Sequence, residues 1–193
     1  VAERLRDEGR GVILDQFANP DNPQAHIDGT GPELWEQTGG KINGFTCAVG
    51  TGGTLAGVGL GLKAKNPDIT IALTDPHGAA LYSYYACGEL KAEGTSVAEG
   101  IGQGRITANL DGAPVDTQFR ISDEEGLFWM RRLLHEEGLC LGLSSGINVA
   151  GAVALARQMG PGNTIVTILC DTGFRYLSTL YNPEWLQSKG LSL

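Results

Sequence analysis

The chain has 193 residues, 41% of them hydrophobic and 19% charged, which is enough for one well-buried core and too apolar for disorder. Its net charge of -8 argues against nucleic acid as a partner, and no apolar run is long enough to span a membrane. Val1 opens no signal-peptide pattern, so the expected location is the cytoplasm.

Val1 to Glu8 reads as the end of an amphipathic helix entered midway, so residues 1–193 are expected to form one α/β domain of a longer, two-domain protein. Gly11–Asp15 is the first strand-like run. The stretch from Asn19 to Pro32 carries Pro20, Pro23 and Pro32 among Asn and Asp, and begins as a turn-rich loop.

Gly50-Thr51-Gly52-Gly53-Thr54 then joins the strand-like run Phe45–Val49 to a helix-like run, Leu55–Lys65. A glycine turn there exposes backbone N–H groups at a helix N-terminus, where they, the helix dipole and two threonine hydroxyls converge on an anion. A phosphate is the expected ligand. A Walker loop is excluded because no lysine follows before Lys63. The dinucleotide fingerprint has Leu55 at its third glycine position, although Asp75, after the run Ile69–Leu73, lies where a ribose-binding acid belongs; an NAD site stays open as a rival.

Gly94 to Gly112 is a second irregular region, either a flexible surface loop or backbone that approaches a ligand closely. Val115–Ile121 is strand-like. Ser122 with Glu125 makes a capping box for a helix over Asp123–Glu137, which Gly138 stops and whose inner face carries Leu127, Met130, Leu133 and Leu134. Leu143-Ser144-Ser145-Gly146 follows the apolar run Leu139–Leu143 and precedes a helix over Ile147–Met159, so serine is either a plain N-cap or part of a site. After the last strand-like run, Thr164–Leu169, Asp171-Thr172-Gly173 repeats the strand-end turn.

Alternating strands and helices predict an α/β fold with a mainly parallel sheet, whose carboxyl edge would gather these turns. Cys47, Cys87, Cys140 and Cys170 form no CxxC pair and read as buried thiols. His26, His77 and His135 stand apart from other ligand types, so no metal is expected.

Six runs in order resemble the cysteine synthases (O-acetylserine sulfhydrylases), β-family pyridoxal phosphate enzymes: Gln16–Pro23, Thr30–Trp35, Val49–Gly59, Glu99–Gly102, Gly142–Gly146 and Arg175–Thr179. The resemblance implies the large domain of fold type II, a parallel-rich twisted sheet with helices on both faces. It implies that Gly50, Thr51, Gly52, Gly53 and Thr54 hold the cofactor phosphate, that Ser144 meets the pyridine nitrogen, that Gln16 binds the substrate carboxylate and that Gly100 lines the site. A hydroxyl facing the nitrogen leaves it largely unprotonated, a weak electron sink suited to losing acetate from O-acetylserine and adding sulfide to give cysteine. The implied whole enzyme is a homodimer able to dock a serine acetyltransferase tail.

The family's Schiff-base lysine lies upstream of the matching runs. Lys41, Lys63, Lys65, Lys91 and Lys189 have no such context and read as solvated surface lysines, so the chain alone is expected to be inactive. Asp171-Thr172 and Cys170 depart from the Ser-Ser and proline often found in the family, which leaves the sulfur donor open. A cystathionine β-synthase-like enzyme and a non-catalytic module that keeps the phosphate loop are the alternatives.

Overall fold

The computed structural model describes residues 1–192. Four strands, β1 (Ile42–Cys47), β2 (Thr70–Pro76), β3 (Thr117–Ile121) and β4 (Thr164–Thr167), form one parallel sheet in the order β3-β2-β1-β4. The helices are α1 (Ala2–Asp7), α2 (Asp21–Ala25), α3 (Gly31–Gln37), α4 (Gly53–Lys65), α5 (Leu81–Cys87), α6 (Asp123–Glu137), α7 (Leu143–Met159) and α8 (Pro183–Ser188).

Each sheet face buries a different kind of residue. Phe45, Ile71 and Leu73 pack with Leu55, Val58 and Leu62 of α4 in one apolar cluster. On the other face a side chain at Gly44 would strike Leu155 and Met159 of α7, and one at Gly151 of α7 would fall on the Thr74 side chain. Helix and sheet are thus in close backbone contact where glycine permits it. A hydroxyl ladder runs through this layer, buried at its inner rungs: Thr46 Oγ1 meets Ala72 O at 2.9 Å and Thr74 Oγ1 at 2.7 Å, and the half-buried Thr167 Oγ1 donates to Thr46 O at 2.6 Å.

The α6 reading holds at both ends. Ser122 Oγ accepts from the Glu125 amide at 3.2 Å, Gly138 ends the helix in the left-handed region, and Leu127 and Met130 are buried.

Four expectations need correction. Gly11–Asp15 pairs with no strand among the described residues, and Val12 and Leu14 are 83% and 75% exposed; an apolar run signals an appetite for burial, not a partner. The Asn19–Pro32 stretch is a turn only at its start. Asn19 Oδ1 caps the Asp21 amide at 3.0 Å, and α2, a π-helical turn (His26–Thr30) and α3 follow without a break; the prolines fall where their missing N–H costs little. Of the four thiols only Cys47 is fully buried, while Cys87 and Cys170 are exposed. Among the lysines, Lys63 is no free surface cation: it pairs with Asp116 at 2.8 Å and donates to Pro67 O.

Candidate active site

The glycine loop sits at the carboxyl end of β1. Gly52, at φ +93°, caps α4 in the left-handed region, where a side chain would be strained and would also crowd Leu110. A Cβ on Gly50 would meet the Gly100 carbonyl, and one on Gly53 would meet the Asn22 side chain. The loop's outer side is therefore packed by protein. Among the described residues the amides of Gly50, Thr51, Gly52, Thr54 and Leu55 donate to no protein acceptor, and Gly53 N–H reaches only Thr51 Oγ1 at 3.4 Å. Open amides at the N-terminus of a 13-residue helix are a ready anion site.

The threonine hydroxyls also have protein partners. Asn22 Nδ2 donates to Thr51 Oγ1 at 3.0 Å, and Thr54 Oγ1 lies 3.2 Å from His26 Nε2, whose Nδ1 meets Thr30 Oγ1 at 2.9 Å. Burial lowers the His26 pKa, which favours the neutral ring needed for this relay. Because Thr51 Oγ1 accepts both its bonds, its own proton stays available to an anion.

Ser144 is not an N-cap. Helix α7 starts at Leu143, four residues before the apolar pattern suggests, and Gly142 is the capping residue. Ser144 and Ser145 therefore lie in the first turn. Ser145 Oγ accepts from the Cys170 amide at 2.9 Å. Asn148, one turn on, accepts from Ala48 N–H at 2.7 Å and donates to Ile168 O at 2.8 Å. This pins the start of α7 between the ends of β1 and β4, so Ser144 and the glycine loop share the carboxyl edge. Ser144 is 7% exposed and lines a cavity of about 10 Å³ with Glu99 and Tyr176, near the size of one water.

Gln16 joins the loop through its backbone. Its carbonyl accepts from Asn22 Nδ2 and Asn109 Nδ2, each at 2.7 Å, while its side chain is exposed. The Gly94–Gly112 region is a strap over the glycine loop: Gly100 lies against Gly50, Gly102 N–H donates to Val49 O at 3.0 Å, and Thr107 Oγ1 donates to Thr51 O at 2.7 Å. Of the two readings of that region, close approach fits, and what it approaches is the loop.

Asp75 is wholly buried, and its Oδ2 accepts from the Tyr82 amide at 2.8 Å, which takes it out of reach of a ribose. At the third turn, Tyr176 donates to Asp171 at 2.7 Å, and Thr172 caps the following 3₁₀ turn. Burial and that bond push Tyr176 up to about 12. The lysines lie elsewhere: Lys41 precedes β1 at the opposite edge of the sheet, Lys63 and Lys65 are about 15–18 Å along the α4 axis from its start, Lys91 pairs with Glu93, and Lys189 covers Trp185. Among the described residues no His, Cys, Asp or Glu cluster is arranged to hold a metal ion, and no helix is long and apolar enough to cross a membrane.

Asn22, His26, Thr107, Asn109 and Asn148 are the site's supporting residues that sequence reasoning missed. Asn22 had a faint signal, in a run of Asn, Pro and Asp read only as a turn. The others become visible only when segments far apart in sequence meet.

A parallel sheet that gathers a glycine loop with open amides and a serine-bearing helix start on one carboxyl edge defines an open α/β domain, the class of fold whose ligand sites lie at that edge. Comparison with known proteins narrows the class: the chain belongs to the pyridoxal-phosphate dependent enzyme family, whose model matches residues 1–171. Cysteine synthase 1 of Emericella nidulans is 50% identical over 185 residues, 93% of this chain and 50% of that protein. Cysteine synthase A of Escherichia coli is 43% identical over 93% of this chain and 57% of its own. The crystal structure of an O-acetylserine dependent cystathionine beta-synthase from Helicobacter pylori superposes with a TM-score of 0.82 at 33% identity, covering 92% of this chain and 56% of that one. The chain thus spans about half the length of the curated relatives it matches.

Proposed function

We propose that this chain is the cofactor-phosphate domain of a two-domain cysteine synthase that replaces the acetate of O-acetylserine with sulfide. The observation that carries the reading is the Asn148 tie, which puts Ser144 and the open amides of residues 50–54 on one edge. These residues fit pyridoxal phosphate: the glycine cradle suits a phosphate dianion, and a neutral hydroxyl suits an unprotonated ring nitrogen. When bound, the cofactor supplies an electron sink for the substrate's α-carbon.

The chain's own residues hold and orient. Amides of Gly50, Thr51, Gly52, Gly53 and Thr54 take the phosphate, Ser144 holds the ring nitrogen, and the exposed Gln16 amide takes the substrate carboxylate. Gly100 closes the strap over the loop. Lys41 precedes β1 at the opposite edge of the sheet and Lys63 and Lys65 end α4, so none of these supplies an amine at the loop for moving the α-proton. By resemblance the whole enzyme is a cytoplasmic homodimer, and a serine acetyltransferase tail is a partner.

Titration of the chain with pyridoxal phosphate, read by absorbance and tryptophan fluorescence, tests the reading. Saturable binding that inorganic phosphate competes away and NAD does not supports it; no binding, or binding of NAD alone, overturns it. The chain alone should not turn over O-acetylserine and sulfide. A second reading, a cystathionine β-synthase-like enzyme, is favoured by similarity to such proteins from Dictyostelium discoideum and Helicobacter pylori. Assays of the full-length enzyme with O-acetylserine and sulfide against serine and homocysteine separate the two.

A further inference from the structure

Two asparagines far apart in sequence hold the same pair of residues. Asn22, in α2, donates from Nδ2 to the Gln16 carbonyl at 2.7 Å and to Thr51 Oγ1 at 3.0 Å. Asn109, in the 3₁₀ turn Ala108–Leu110 that ends the strap, donates from Nδ2 to the same Gln16 carbonyl at 2.7 Å and to the Thr51 carbonyl at 3.1 Å. The orientation of Asn109 is fixed by its acceptors, since turning the amide over would set its oxygen against two carbonyl oxygens. The Asn109 side chain is buried, and its Oδ1 has no partner among the described residues, so its hydrogen bonds to protein all run through Nδ2.

Apart from these bonds, the segment that carries Gln16 is tied by the Ala18 and Asn19 amides, which close a turn on the Asp15 carbonyl, and by Arg105 over the Phe17 ring. Val12 and Leu14 before it are exposed, and Asp15 stands at φ +44°, an uncommon conformation for a residue other than glycine. Such a segment belongs to the low-stability end of a fold and is ordered by whatever ties it down. Thr51, in contrast, sits at the start of α4 with its carbonyl accepting from Thr107 and Asn109 together. An anion that engages the Thr51 and Gly52 amides fixes the residue whose carbonyl accepts from Asn109 and whose side-chain hydroxyl accepts from Asn22.

We infer that Asn22 and Asn109 are positioning residues that couple occupancy of the glycine loop to the order of the Gln16 segment, so that binding the cofactor phosphate prepares the substrate-carboxylate residue. This rests on the phosphate reading of the loop. It adds a direction of control: the cofactor end of the site sets the substrate end through side-chain amides, before any substrate arrives.

Amide hydrogen exchange on the 193-residue chain tests the coupling, with pyridoxal phosphate and inorganic phosphate as separate probes. Either probe should slow exchange in a peptide covering residues 14–20. In Asn109→Leu, a near-isosteric change without donors, the probe should still bind, but the slowing should fall by about threefold or more. Asn22→Leu should do the same, which keeps the test decisive if one variant does not fold. A merely structural role would alter exchange with and without probe alike and leave the difference intact. Binding by the unaltered chain without slowing at residues 14–20, or slowing unchanged in a variant that binds, overturns the coupling alone; no binding of either probe overturns the phosphate reading and the coupling with it.

Discussion

The side-chain carbonyl of Asn148 accepts a 2.7 Å hydrogen bond from the backbone amide of Ala48, joining helix α7 to the end of β1 across 100 positions of sequence. The same side chain donates to Ile168 O, so one buried amide group satisfies two backbone groups where the sheet ends and the site begins. Replacing it with leucine leaves both unpaired. Asn148→Leu should lose about 2–4 kcal/mol of unfolding free energy in urea titrations, and pyridoxal phosphate affinity should fall with it.

Helical glycines packed against backbone should differ sharply from helical glycines that face open space. A Cβ on Gly57 would press on the Pro23 carbonyl, which is backbone and cannot rotate away, whereas one on Gly29 meets nothing within 4 Å. Gly57→Ala should cost about 1–3 kcal/mol in thermal unfolding. Gly29→Ala should be neutral or slightly stabilising.

Asp75 gives the chain a pH signature. Burial raises its carboxyl to about 6, against a lowering by the Tyr82 amide and the Arg120 guanidinium, which in turn pairs with Glu93. Between about pH 4 and 6 the folded chain keeps a proton that the unfolded chain has released, so this contribution is present below pH 4 and is lost as pH rises to about 6. Asp75→Asn should therefore be favoured over the parent at pH 7 by about 2 kcal/mol, with the advantage shrinking at pH 4.5. Urea midpoints at the two pH values measure it; an equal offset at both would rule out titration of Asp75 as the cause.

Ser144→Ala separates ring from phosphate. Affinity for inorganic phosphate should be unchanged, while affinity for pyridoxal phosphate should drop about fivefold, the worth of one hydrogen bond. Competition isotherms with the two ligands read the difference.

The thiols should react unequally. Cys47 is fully buried and its pKa is raised by burial and by nearby Cys170, so it should resist a thiol reagent at pH 8 until the chain unfolds. Cys87, exposed at the end of α5, should react first. Mass spectrometry of timed labelling orders them.

What was legible in the sequence was what local chemistry decides. Ser122 and Gly138 bound α6 because a cap and a left-handed stop act within one turn, and the glycine loop announced itself because its strand and helix adjoin it. What failed depended on distant neighbours. Gly11–Asp15 has the residues of a strand but no strand beside it, and Asn19–Pro32 coils because α2 and α3 pack on α4. Ser144 lies inside its helix because Asn148 and Ser145 draw the first turn down to Ala48 and Cys170. The supporting asparagines left little trace, since an isolated Asn looks alike whether it caps a turn or bridges two loops.

Two buried threonines on the inner strands and a half-buried one on the edge strand β4 give the sheet's strand alignment a chemical key. Thr46, Thr74 and Thr167 hand hydroxyl protons from strand to strand, and valine at any of them would preserve the shape yet erase the lock. Sliding β2 by one position against β1 would strand the buried Thr46 and Thr74 hydroxyls in a waterless layer, so a misaligned pair carries a penalty that apolar side chains alone could not impose.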